Sequence, residues 1–181
     1  MHGLAYSFRQ RSSEGFTLLE ILVVLVIIGI LATLSFPLVA GMRARAQRIQ
    51  CMANLRSLYT ATELYIQNNG SWPQIAVSDD DTQYAQDWIA ALKPLGPTEK
   101  TWICPTIQNL LGNPNVSDPL NVRTDYVATT FDDKPTTPHL WPRQPWFAEV
   151  GDVHGNGNLI IFTDGSISDL NTIAGKAGAP H

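Results

Sequence analysis

From Phe16 to Ala40 the chain runs for twenty-five residues with a single charged side chain, Glu20. As a helix this stretch rises about 37 Å, enough to cross a hydrocarbon core of about 30 Å with some tilt. A secretory signal reads differently, with a shorter apolar core and a small-residue cleavage site after it. Here the small residue, Gly15, comes before the run. A cut at Gly15 therefore leaves the apolar helix on the product and creates a free ammonium group at Phe16. Glu20 lies one turn in, where a carboxylate costs less than the roughly 2.5–3.5 kcal/mol of a helix centre. It is either a tolerated edge charge or the partner of that new cation in a low-dielectric setting. Pro37 deletes one backbone hydrogen bond and crowds the preceding turn, so a kink or loosened segment is expected there.

The 181 residues leave room for one membrane helix and one modest globular domain. A net charge of −4 argues against an electrostatic nucleic-acid binder, which would want a basic face, and no nucleic-acid partner is expected. Nor does the chain read as an enzyme. It has no G-x-S-x-G elbow, phosphate loop or H-E-x-x-H, and no Cys/His nucleophile pair in a credible context. Cys51 and Cys104 fall on the same side of the apolar run. In an exported domain they either form a disulfide, worth roughly 4 kcal/mol for a loop of about fifty residues, or stay as buried free thiols.

The chain predicts an α+β fold. Helical periodicity continues past the apolar run to about Asn68, with Met52, Leu55, Tyr59, Thr62 and Ile66 on one face, flanked by Leu58 and Tyr65. Asn68-Asn69-Gly70 stops it. A second helix is expected over about Thr82 to Lys93, begun by Asp80-Asp81, with Tyr84, Trp88, Ile89 and Leu92 facing inward. Trp102-Ile103-Cys104 reads as a short strand ended by Pro105. Residues 105–145 are broken by prolines, and within them Tyr126 to Thr130 reads as a strand. Trp146 to Val150 is another. Leu159 to Thr163 and Ser166 to Leu170 flank Asp164-Gly165, a dipeptide suited to a type I′ hairpin. The tail after Thr172 reads as loose.

Gly15-Phe16-Thr17-Leu18-Leu19-Glu20, the apolar run behind it and Pro37 together resemble the N-terminus of type IV prepilins and type II secretion pseudopilins. His154 stands nine residues ahead of Asp164-Gly165, a spacing similar to the H-X9-DG element of many prepilin-like proteins. Cys51, Asn54, Leu55 and Trp102-Ile103-Cys104-Pro105 are similar to the same group.

The resemblance implies a pilin-like subunit in four parts: a removed leader, 1–15; a membrane and filament-core helix, 16–40; its amphipathic continuation, 41–70; and an extracytoplasmic domain with a small antiparallel sheet, 71–181. It implies cleavage between Gly15 and Phe16 by a prepilin peptidase, N-methylation of Phe16, and assembly through Glu20 and Pro37. Its partners would be lipid first, then an inner-membrane assembly platform and other pilin-like subunits. The location would be the inner membrane, single-pass, with the C-terminal domain in the periplasm. Arg9 and Arg11 before the run against Arg43, Arg45 and Arg48 after it argue for the opposite orientation by charge count alone. The resemblance and the cysteine pair override that count. A tethered, uncleaved binding module is the alternative.

His154 is read as structural, its ring bonding across to the Asp164 turn. Zinc is not expected, because one histidine among scattered carboxylates shows no ligand spacing. Calcium stays open: Asp152, Asp164 and Asp169 are oxygen donors in the region where major pseudopilins bind it, but no EF-hand ladder is present. Trp141 and Trp146 either form a ligand platform or pin a loop to the core.

Overall fold

A computed structural model describes the backbone of residues 16–78, 80–112 and 122–177, and all their side chains except those of 34–40, 176 and 177. The leader with Gly15, the side chain of Pro37, Asp79 and the prolines at 114 and 119 lie outside the described residues. The chain divides into two units, residues 1–41 and 42–181.

Helix α1 (Leu18–Asn69) begins in the first unit and ends in the second. Thr17 precedes its first turn, and its hydroxyl accepts the backbone N–H of Glu20 at 3.2 Å. Thr17-x-x-Glu20 thus has the spacing of a capping box, with the N-cap half of it formed. The helix continues unbroken through Pro37, so the loosening expected there does not interrupt it. Every described side chain of the first unit, residues 16–33, is exposed. Among the described residues no helix is long and apolar enough to cross a membrane; the predicted span extends into 34–40, whose side chains are outside that set.

In the second unit, the C-terminal half of α1 buries Cys51, Asn54, Leu55, Leu58, Ala61, Thr62 and Ile66. This stripe is rotated slightly from the predicted one: Met52, Tyr59 and Tyr65 pack at its margins. Helix α2 (Asp81–Leu92) forms where expected. Asp80 caps it, its carboxylate accepting the N–H groups of Thr82 and Gln83. Ala85, Trp88 and Leu92 are its buried face.

The predicted strand at Trp102-Ile103-Cys104 is absent. Trp102 instead closes a 3-10 turn, Glu99–Trp102, and Pro105 opens helix α3 (Pro105–Leu111). Proline at the first helical position lacks only an N–H that would be unpaired anyway, so here it starts a helix rather than stopping a strand.

Strands β1 (Tyr126–Ala128), β2 (Pro145–Glu149), β3 (Leu159–Phe162) and β4 (Ile167–Asp169) make an antiparallel meander in chain order. The β2–β3 register slips between Pro145 and Phe147. That bulge at Trp146 lets two successive side chains, Trp146 and Phe147, both be buried.

The β3–β4 turn is not type I′, which needs positive φ at both central residues. Among the described residues positive φ is confined to glycines, here Gly165 at 71°. Phe162 accepts the N–H of Gly165 at 2.8 Å and donates to Ser166 at 3.0 Å. The loop is therefore three residues closed by a glycine bulge. Helix α4 (Leu170–Ala177) follows β4 directly, in place of the loose tail.

Four of the five tryptophans are buried. Trp72 lies edge-on to Trp88, Phe131 and Trp146 with centroids 6.0, 4.7 and 5.1 Å away. The Trp146 indole N–H donates to Pro138 O at 3.0 Å, which pins the proline-rich loop to the core. Trp141 stays 64% exposed.

Candidate functional site

Two features carry chemistry, one in each unit. In the first, Phe16, Thr17 and Glu20 sit at the start of α1, with thirteen large apolar side chains exposed between Phe16 and Leu31. Burying each would contribute about 1.5–3 kcal/mol, so the surface is one that calls for a cover.

In the second unit, Cys51, Cys104, Glu149 and His154 converge, with their ligating atoms within 4.8 Å of one another. Four separate elements deliver them. Cys51 faces inward from α1, and Cys104 is the residue ahead of α3. Glu149 ends β2. His154 sits in the β2–β3 loop, which turns through Gly151 and Gly155 at φ of 83° and 78°. The backbone N–H of Cys104 donates to Asp125 Oδ2 at 2.8 Å, and Arg123 holds the other oxygen of that carboxylate at 2.9 Å. Asn54 donates to Ile103 O at 3.0 Å and to the Tyr126 hydroxyl at 3.3 Å.

The His154 Nε2 lies 3.7 Å from Cys104 Sγ and 3.2 Å from Glu149 Oε1. The expected bond from His154 to the Asp164 turn is therefore not made. Asp164 instead accepts the N–H of Ser166 at 2.9 Å. Both cysteines are buried free thiols. Ligands can come from elements far apart in sequence, so a lack of regular ligand spacing does not exclude such a cluster. Glu149 itself carried no signal: it is a lone acid at the end of a short strand.

Burial, then the hydrogen bond with Cys104, pushes the Glu149 carboxyl up to about 8. The hydrogen bond from Cys51 lowers the Cys104 thiol to about 6, with help from the N–H groups of Ile107 and Thr106. The same hydrogen bond, then burial, drives Cys51 upward. The aspartates weighed for calcium are engaged separately. Asp152 accepts the Gly155 N–H, and one guanidinium nitrogen of Arg48 reaches both oxygens of Asp169 at 2.7 and 2.8 Å.

Residues 10–36 match the family described as the prokaryotic N-terminal methylation motif. The chain thus carries that N-terminal motif ahead of an α+β fold, a long N-terminal helix followed by a small antiparallel sheet.

Among curated relatives, it is 42% identical over 65 residues to type II secretion system core protein G of Klebsiella michiganensis, covering 36% of this chain and 46% of the relative. The Pectobacterium carotovorum protein of the same name is 42% identical over 66 residues, covering 36% and 40%. The type IV major pilin protein PilA of Myxococcus xanthus is 34% identical over 64 residues, covering 35% and 29%. Each match spans less than half of the relative. No solved structure matches the chain. The matched motif ends at residue 36 and does not reach His154 or Asp164-Gly165.

Proposed function

We propose that this chain is a structural subunit of a type IV pilus-like or type II secretion filament. It is made as a single-pass inner-membrane precursor with residues 42–181 in the periplasm. A prepilin peptidase cuts between Gly15 and Phe16 and methylates Phe16. The subunit then passes from lipid into a fibre whose core is built from α1. The observation that carries this reading is the methylation motif lying on a helix whose described side chains, 16–33, are all exposed. Neighbouring apolar helices replace lipid around them, and the new ammonium of Phe16 pairs with Glu20 of an adjacent subunit, where low dielectric strengthens the attraction and pairing offsets desolvation.

The test is the intact mass of protein recovered from cells. A chain beginning at Phe16 and one methyl group heavier than its sequence supports the proposal. Recovery of the full leader with no polymer present overturns it in favour of a tethered binding module.

A further inference from the structure

We infer that Cys51, Cys104, Glu149 and His154 form a structural site for a thiophilic divalent cation, with zinc(II) the best fit. The inference does not depend on the filament reading.

Its first support is geometric. Zinc–sulfur bonds near 2.3 Å and zinc–nitrogen or –oxygen bonds near 2.0–2.1 Å give tetrahedral edges of about 3.3–3.8 Å. The His154–Cys104 and His154–Glu149 separations, 3.7 and 3.2 Å, are close to those edges. Two sulfurs, an imidazole nitrogen and a carboxylate oxygen make a borderline-soft donor set suited to zinc.

The second support is an unmet need. The Glu149 side chain is 0% exposed, that of His154 3%. Glu149 Oε2 is buried with no hydrogen-bond partner. Such an atom carries a desolvation penalty that no protein group offsets, and a cation removes it. A disulfide between the cysteines would consume the two sulfurs and leave this carboxylate as it was.

The third is the surrounding support. Asp125 fixes the Cys104 backbone, and Asn158 donates to the Glu149 carbonyl at 2.8 Å. A cleft of about 200 Å³ beside His154, lined also by Arg45, Arg48 and Thr106, gives an entry path.

Four protein ligands leave no open coordination position, which marks a structural rather than a catalytic ion. On binding, the two cysteines and Glu149 release to solvent whatever protons they hold, and two sulfur–, one nitrogen– and one oxygen–metal bonds replace the ion's waters, with no change of oxidation state. The bound ion would tie α1, the start of α3, the end of β2 and the β2–β3 loop together.

The full chain, purified in detergent without chelators, should hold about one zinc per molecule. Replacement by cobalt(II) should give a thiolate-to-cobalt charge-transfer band. That band can arise only from Cys51 and Cys104, the two cysteines of the chain. Cys51→Ser and His154→Ala should each weaken metal binding about tenfold or more. Should either variant fail to fold, the cobalt spectrum of the unaltered chain decides. The inference is overturned by a metal-free chain with the mass deficit of a disulfide. It is equally overturned by two free thiols that take up neither ion, or by zinc affinity unchanged in both folded variants.

Discussion

Tyr59 shows how one side chain ties the helix to the sheet. Its hydroxyl donates to Thr163 O at 2.8 Å and its ring lies 4.8 Å from that of Trp146. Burial, then the negative charge of Glu63, raises its hydroxyl from 10.0 to about 12. A folded value above the unfolded one means the folded state holds the proton longer. The stability this supplies is complete below pH 10 and is lost as pH climbs through about 12. Tyr59→Phe should therefore lower stability at neutral pH by about 1 kcal/mol, the worth of one hydrogen bond, and flatten the alkaline loss. Urea unfolding of both proteins across pH 9–12 checks this. An equally steep loss in the variant would assign the effect to other groups.

Glu20 separates two physical roles. Its backbone N–H is capped by Thr17, and its position favours a capping box whether the side chain is Glu or Gln. Pairing with a neighbour's ammonium group needs the charge. Glu20→Gln should keep membrane insertion and block incorporation into filaments. Normal incorporation would reduce Glu20 to a cap.

Among the secondary elements, the aromatic cluster is the main load. Trp72 is 1% exposed and touches residues from α2, β2 and the loop after β1. The indole nitrogens of Trp72, Trp88 and Trp102 have no hydrogen-bond partner, so apolar burial and ring packing hold the cluster. Trp72→Ala should cost about 3–5 kcal/mol, read from the denaturation midpoint. A loss below 1 kcal/mol would show that the cavity collapses freely.

Gly157 has a different constraint. Its φ is +82°, and an added Cβ would sit 3.0 Å from both the Asn171 nitrogen and the Leu170 Cβ. Gly157→Ala should destabilise by more than about 1 kcal/mol. It should also speed amide exchange at Leu170, whose N–H is held by Asn158 O at 3.0 Å. Unchanged exchange there would show that α4 does not depend on this close approach.

These cases also show what the residue pattern could and could not convey. The β3–β4 hairpin was legible because Leu159–Phe162 is a continuous apolar run followed by a turn dipeptide. Its loop type was not, since it depends on where pairing resumes. Pro105 was ambiguous between ending a strand and opening a helix. Helix α4 was missed because Leu170–Ala177 is short, contains the weak helix formers Thr172, Ile173 and Gly175, and begins where the alternating pattern reads as the end of a strand. The donor cluster was hidden because its members are 51, 104, 149 and 154 in sequence, and only the last two are neighbours. The His154-to-Asp164 spacing pointed to a turn that His154 does not contact.

The two units obey different rules. The described part of the first has no buried side chain, whereas the second assembles its core from residue 51 onward. A chain beginning at Met42 should therefore keep one cooperative unfolding transition and lose its need for detergent. Aggregation or a lost transition would mean that the second unit relies on the apolar helix.

Arg48 and Asp169 join α1 to the end of β4 across 121 positions of chain. During synthesis at about 5–20 residues per second, the later partner emerges roughly 6–24 s after the earlier one. Until the end of that interval the stripe from Cys51 to Ile66 lacks the complete sheet it lies against. The segment born first is thus the last to be sheltered, and a holdase reaching a nascent chain of this kind would find its target on α1.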